Sequence, residues 1–499
     1  MTLMSDSPSA RAPCVIGVGQ VVSHTADAEG TEPLELWAQA CSLALADTRS
    51  GRGVGTIDTL SVVRCDSWSY DKPAHRLTER LKLSPAHVAY SELGGQQPQV
   101  LLHTLCDAIV AGRMDLGLIV SGEALHTVDV MTRAGGQPGW GNPAPMTPPM
   151  NLDSFFHESE LRHGMLPIMR SFALRDSARR AHLGSDGEDY AREPAPTYAG
   201  MSDVASTNPY AWHPVARSAE EIMEVSAANR MPVRPYPKLM MASPKVNQAA
   251  ALVVASEARA NDLGIPREHR VYLRGWSSAS DYPYVAENED LWRSRAMKDA
   301  GRRALAGAGL GVDDLAYFDL YSCFPSSLRF ACDALGRRLD DSRGVTVTGG
   351  MPYAGAPGSG YVTMALASMA EALRGSDGAS GLVSGLSAQM ATHAFTVLGA
   401  CPGAGDPKAF GGSLRRTDER RTPIREEGRG VALLEAYAVA CDYAGDNDIA
   451  VAVCRLPDES RCYAQARDAD ALEFLSSAEG VGRRVELTSG EGGTNQLVL

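Results

Sequence analysis

Two glycine-rich turns, far apart in the chain, each open an apolar helix that runs into a short apolar strand. The first reads Glu92-Leu93-Gly94-Gly95-Gln96-Gln97-Pro98-Gln99. Leu101, Leu105, Ala108 and Ile109 lie on one side of the helix that follows, Gly112 closes it, and 116–120 reads as a strand. Pro98 suits a helix start, because the N–H it lacks would be unpaired there in any case. The second turn is the loop holding Gly349, Gly350, Gly355, Gly358 and Gly360, followed by a small-residue helix over 362–373 and a strand over 381–387. Related turns before helices in two halves predict an internal duplication of a five-layered α/β (αβαβα) kind.

The remaining elements fit that frame. Strands are expected at 15–19, 57–63, 246–254 and 317–321, and helices at 33–47 and 326–335. Between them, 125–240 is rich in Met, Pro, His and Tyr, with helices predicted near 160–182 and 218–229. A stretch of that length inside a compact domain reads as a lid or cap. Beyond about 410 the pattern changes to short strands at 431–439, 449–454, 462–466 and 483–487, separated by turn residues. This predicts a small appended β-barrel. The expected division is 1–265 for the first half with its insertion, 266–410 for the second half, and 411–499 for the barrel.

Composition narrows the function. Of 499 residues 44% are hydrophobic, enough for a large core. The net charge is 47 − 60 = −13, the wrong sign for coating a nucleic acid, though compatible with a local basic pocket for an anionic ligand. The ten Cys are scattered with no C-x-x-C pair, which predicts neither a zinc site nor a disulfide framework. No apolar stretch has the length of a membrane span or a signal peptide, so the expectation is a cytoplasmic protein with reduced thiols, no metal and no nucleic-acid partner.

Five blocks in order across about residues 10–405 carry a resemblance. They are Gly94-Gly95 with its helix and Ala108-Ile109-Val110-Ala111-Gly112, then Ser121-Gly122-Glu123, 246–252, 319–325 and the Gly349 to Gly360 loop. Together they resemble the thiolase superfamily, and within it the sterol-carrier-protein-associated thiolases and thiolase-like relatives with an extra C-terminal domain, here OB-like. The resemblance implies a coenzyme A thioester as substrate or ligand, an acyltransferase of acetyl-CoA acetyltransferase type or a carbon–carbon lyase, and a role in lipid metabolism. It implies either a homodimer or a monomer.

The residues depart from the family where its chemistry lies. A thiolase places a nucleophilic Cys at the start of the first buried helix, where the helix N-terminus favours thiolate and oxyanion; that place here is Gly95. The family's Gly-His-Pro loop has Ala356 at its His, Tyr321 stands where an Asn or His is usual, and the second catalytic Cys falls near Leu386. The candidates that remain are Cys323 as nucleophile, His393 as general base, and Tyr321 and Tyr353 as proton carriers. Tyrosines in such blocks resemble those of thiolase-fold aldolases that cleave steroid side-chain thioesters with a small β-barrel partner. Gly94, Gly95 and Gln96, with Gly355, could hold an oxyanion through backbone N–H groups. The resemblance puts Ser243 beside pantetheine, with Lys245, Lys238, Arg230 and Arg234 near phosphates. Three functions follow from these residues: carbon–carbon bond chemistry on an acyl-CoA, acyl transfer through Cys323 and His393, or non-catalytic acyl-CoA or lipid binding as a scaffold.

Overall fold

A computed structural model describes residues 8–26, 31–51, 53–145, 152–403 and 415–499. The first half of the chain supplies strands β1 (Pro13–Val22), β2 (Thr59–Val62), β3 (His87–Tyr90), β4 (Leu116–Ala124) and β5 (Asn247–Ser256). The second supplies β6 (Val271–Ser280), β7 (Tyr317–Asp319), β8 (Ser380–Ser387) and β9 (Thr392–Gly399). They lie in the order β3-β2-β4-β5-β1-β6-β9-β8-β7, with the short β10 (Arg415–Arg416) parallel to β6.

The pairing pattern repeats. In the first half β2 is parallel to β4, β4 antiparallel to β5 and β5 antiparallel to β1. In the second β7 is parallel to β8, β8 antiparallel to β9 and β9 antiparallel to β6. The halves join where Cys14 and Val15 of β1 pair with Tyr272 and Val271 of β6. The register slips between Val15 and Gly17 in β1, and again between Leu273 and Gly275 in β6. After each slip a glycine lies against an outer helix. A Cβ on Gly17 would sit 2.2 Å from the Ala44 carbonyl oxygen, and one on Gly275 2.1 Å from that of Ala304.

Helices Gln97–Val110 and Tyr361–Arg374 form the central layer between the two half-sheets, and helices Pro33–Asp47 and Arg295–Ala308 form the outer ones. In helix Tyr361–Arg374 every residue of 361–370 is buried, mostly apolar with Thr363 and Ser368 among them, as a helix enclosed by protein requires. The duplicated five-layered α/β fold is therefore present. Like β6 and β9 of the second half, the strand His87–Tyr90 has no counterpart among the sequence expectations. It lies at the sheet edge with partly exposed residues, so its apolar pattern is weak.

The insertion is more helical than its sequence predicts, with helices Met169–Leu183, Gly187–Arg192 and Ala195–Thr207. The helix expected over 218–229 is only Ala219–Met223. Ser218 caps its start, and the Asn229 side chain ends it early by donating to the carbonyls of Ile222 and Glu224. Helix Ala195–Thr207 presses on the second glycine-rich loop, where a Cβ on Gly349 would be 2.4 Å from that of Ala205.

At the C-terminus β11 (Gly430–Cys441), β12 (Asn447–Arg455), β13 (Arg461–Ala466), β14 (Arg484–Ser489) and β15 (Asn495–Val498) close a barrel in the order β11-β12-β13-β15-β14. Helix Ala469–Ser477 lies between β13 and β14. The boundary expected near 410 falls in 404–414, outside the described residues. Among the described residues no helix is long and apolar enough to cross a membrane, and no group of three His, Cys, Asp or Glu is placed to hold a metal ion.

Gly275→Ala forces a methyl into the Ala304 carbonyl and is expected to destabilise the fold by about 1–3 kcal/mol, measured as a lower urea midpoint. An unchanged midpoint would show that the helix can move away.

Candidate functional site

Both glycine-rich turns face a buried polar interior. At the first, the Gly94 amide donates to Ser359 Oγ of the second loop at 3.0 Å, so one of the expected oxyanion donors is already used. Gln96 starts the helix, and its side-chain oxygen is buried without a partner. Gly95 is enclosed: a Cβ there would sit 2.1 Å from the Tyr321 hydroxyl and 2.6 Å from the Leu386 carbonyl oxygen. The Tyr321 phenol thus occupies the space that a side chain at this helix start would take.

Tyr321 and Cys323 are neighbours, and among the described residues Tyr353 is linked to Cys323 only through Tyr198. Tyr321 is electrostatically coupled to Cys323, and Tyr198, from the insertion, to both Tyr353 and Cys323. Burial raises all of them, so each holds its proton. It pushes the Cys323 thiol up to about 12 against the pull of hydrogen bonds from Ser327 and Phe324. It also pushes the Tyr321, Tyr353 and Tyr198 phenols above their ordinary value. The hydroxyls of Tyr353 and Tyr198 are buried with no hydrogen-bond partner, an unusual state for a polar atom.

His393 does not join them. Gly381 and Gly385 of β8 face the central helices, where Cβ atoms would meet Met369 and Gln99. Their pairing partners in β9 are Leu398 and Ala394, so His393 points to the opposite face, the one on which Phe395 meets the outer helix at Gly301. There Nε2 meets Ser294 Oγ and the Met390 carbonyl, close to Asp281. Burial lowers its pKa to about 4, which leaves a neutral ring.

Beside the tyrosines lies a cavity of about 1120 Å³, whose lining includes Tyr353 but not Tyr321, Cys323 or His393. Arg133, Arg217, Arg230, Lys238 and Lys245 line it, and among the described residues no carboxylate does. Lys245 and Arg133 share Asp129, whereas Arg217, Arg230 and Lys238 have no ion pair among the described residues. Ser243 also lines it, its hydroxyl 3.1 Å from His213 Nε2, while its backbone bridges the Met351 carbonyl and the Ala356 amide. Arg234 lies outside this lining and donates to Asn447 Oδ1. A nest of cations in a chain of charge −13 is suited to a phosphate-bearing ligand.

Two features stay hidden in the sequence. His213 and Tyr198 belong to the insertion and carry no motif. Glu123 sits in the Ser121-Gly122-Glu123 block, but its burial does not show there. Its carboxylate accepts from the Asp66 and Ser67 amides and lies beneath the second loop, where a Cβ on Gly358 would sit 2.5 Å from its Oε1. Gly355 is pressed in the same way on the Gln248 side chain. Burial, aided by Asp66, raises Glu123 to about 7.

A search of protein-family models finds no match. Among solved structures, the monomeric SCP2-thiolase-like protein type 1 from Mycobacterium smegmatis superposes with a TM-score of 0.83 at 31% identity, over 99% of this chain and 100% of that one. The chain belongs to the thiolase superfamily, in its SCP2-thiolase-like branch. The fold of the superfamily recurs at lower identity. The Ltp2-ChsH2(DUF35) aldolase has a TM-score of 0.60 at 18% identity, over 80% of this chain and 99% of that one. Human mitochondrial 3-ketoacyl-CoA thiolase in complex with CoA has 0.56 at 14%, over 79% and 99%. Among curated proteins, a 3-ketoacyl-CoA thiolase of Salmonella heidelberg is 28% identical over 241 residues, 44% of this chain and 51% of that protein. The chain thus spans about half the length of that relative. These thiolase relatives tie the superfamily fold to CoA thioesters.

Glu123 gives the site a pH signature. Its carboxyl is raised from 4.5 to about 7 in the fold, so the folded chain keeps a proton that the unfolded chain releases. The stability from this group is full below about pH 4.5, declines as pH rises to about 7, and is flat above. The decline is about 3 kcal/mol. Glu123→Gln removes it, so the variant is expected to gain on wild type in thermal unfolding between about pH 5 and about pH 7.5. A constant difference across that range would show an ionised carboxylate throughout.

Proposed function

We propose that this chain binds acyl-CoA thioesters in the cation-lined cavity and forms no cysteine-linked acyl-enzyme. The carrying observation is the Tyr321 phenol packed against Gly95, in the space where a thiolase presents its nucleophile. The resemblance, which puts Ala356 at the family's His and Leu386 near its second Cys, supports the lack of a thiolate and its base there. Cys323 does not replace them, because a thiol held at about 12 is protonated at neutral pH and His393 faces the other side of the sheet.

In this reading Arg217 and Lys238 meet the phosphates, which lack a competing carboxylate in the lining. The pantetheine arm passes Ser243 and His213, and the thioester reaches Tyr353 at the cavity's inner end. The Tyr353 phenol keeps its proton and has no hydrogen-bond partner among the described residues, so it can donate to the thioester carbonyl oxygen. Gly95 and Gln96 open helix Gln97–Val110, at an end whose N–H groups favour developing negative charge.

The paired free phenols of Tyr353 and Tyr198 favour a second reading, in which the bound thioester undergoes carbon–carbon bond making or breaking. A hydrogen bond to the carbonyl stabilises an enolate without any covalent link to the protein. The barrel's strand order, with a helix between its third and fourth strands, supports an OB-like module fused to the thiolase halves. The aldolase among the fold neighbours is an analogy for that chemistry, not a proof of it.

Calorimetry with acetyl-, medium-chain and steroid-like acyl-CoAs, together with intact-protein mass after incubation, tests the proposal. Saturable binding with no mass increase is expected. A mass increase of one acyl group that disappears in Cys323→Ala would overturn the non-covalent reading, and absence of binding to the whole series would overturn the ligand class.

A further inference from the structure

One wall of the cavity comes from the appended barrel. Tyr443, Ala444 and Gly445 line it from the tip of the hairpin between β11 and β12. Tyr443 is 87% exposed, by far the most exposed large hydrophobic side chain among the described residues. A ring so open gains nothing from burial, yet the turn that carries it is closed by hydrogen bonds. Asp442 Oδ1 accepts from the Gly445 and Asp446 amides, and the Asp442 amide donates to the Asp446 carbonyl, so the tip is a closed turn. Below it, the segment around Arg230 is sewn to β11. Val233 bridges to Ala440, the Cys441 amide donates to the Pro232 carbonyl, and the Arg234 amide donates to the Val439 carbonyl. Arg230 thereby lies with its guanidinium 4.4 Å from the centre of the Tyr443 ring.

We propose that Tyr443 and Arg230 form a stacking subsite for the purine nucleotide end of a coenzyme A ligand, so that the barrel holds the nucleotide while the thiolase halves hold the thioester. The inference rests on the acyl-CoA reading of the cavity and deepens it. An exposed aromatic ring backed by a guanidinium offers a flat face to a base, and stacking of this kind tolerates any base because it uses only the π-face. Arg230 and Lys238 share the lining of the same cavity, their segments held together by the Lys238 amide donating to the Arg230 carbonyl. Free cations beside the platform suit a ligand in which a base and phosphates are joined. The tip's own carboxylate at Asp442 is occupied by the turn amides.

The test is calorimetry on the full chain with coenzyme A and with pantetheine, using wild type, Tyr443→Ala and Tyr443→Phe. Because Tyr443 is exposed, the variants are expected to unfold at the wild-type temperature. Tyr443→Ala is expected to weaken coenzyme A about tenfold, Tyr443→Phe to stay within about twofold, and neither to alter pantetheine. If wild type binds coenzyme A and Tyr443→Ala binds it equally well, the subsite is overturned and the acyl-CoA reading stands. Equal losses for coenzyme A and pantetheine would also overturn it, since Tyr443 would then shape the cavity rather than hold the base. A wild-type chain that binds neither compound overturns the acyl-CoA reading and the subsite with it.

Discussion

At Gly17 and Gly275 a strand backbone rests against a helix carbonyl, and at Gly95 a helix start rests against the Tyr321 hydroxyl. These approaches are closer than any Cβ allows, and the layered packing depends on them. The same contact in both halves, each one step past a register slip, sets how near the outer helices come to the sheet. With the outer layers drawn in, the central layer is enclosed, and every residue over 361–370 is buried.

The same closeness decides the chemistry of the interior. A phenol pressed on Gly95 and a thiol buried at Cys323 both hold their protons, because a charged form would lose its hydration with no cation to replace it. The glycine-rich loops lie over side chains that remain polar and buried, among them Glu123 and Gln248. The interior can therefore donate hydrogen bonds to a carbonyl more readily than it can generate a nucleophile. The cations stand outside it, along the cavity wall.

The barrel is part of this arrangement. Buried Arg461 pairs with Glu435 and donates to the carbonyls of Ala286 and Glu289, and Tyr463 donates to buried Glu160 of the insertion. The Tyr437 amide donates to Ser177 on helix Met169–Leu183. Such contacts carry satisfied polar groups across a buried face, which fixes one docking position rather than a loose tether. Insertion and barrel together make the cavity that neither half-sheet forms alone.

The sequence by itself determined the layers: glycine turns before apolar helices, a repeat of that unit, and turn-punctuated short strands beyond it. These are local patterns, set by backbone geometry over a few residues, and the elements form where they occur. The resemblance also placed Tyr321, Cys323 and Tyr353 in matched blocks; Tyr321 and Cys323 are neighbours in the fold, while Tyr353 lines the cavity without them. Tertiary structure decided the rest. His393 lies on β9, a strand the sequence pattern did not show, and a side chain in a strand faces one side or the other by register: the pairing with β8 turns it outward. Tyr198, His213 and Tyr443 join the site from segments with no motif, because convergence of residues far apart in the chain is set by how the insertion and barrel dock. Local propensity has no term for contacts at that separation; only the packed chain supplies them.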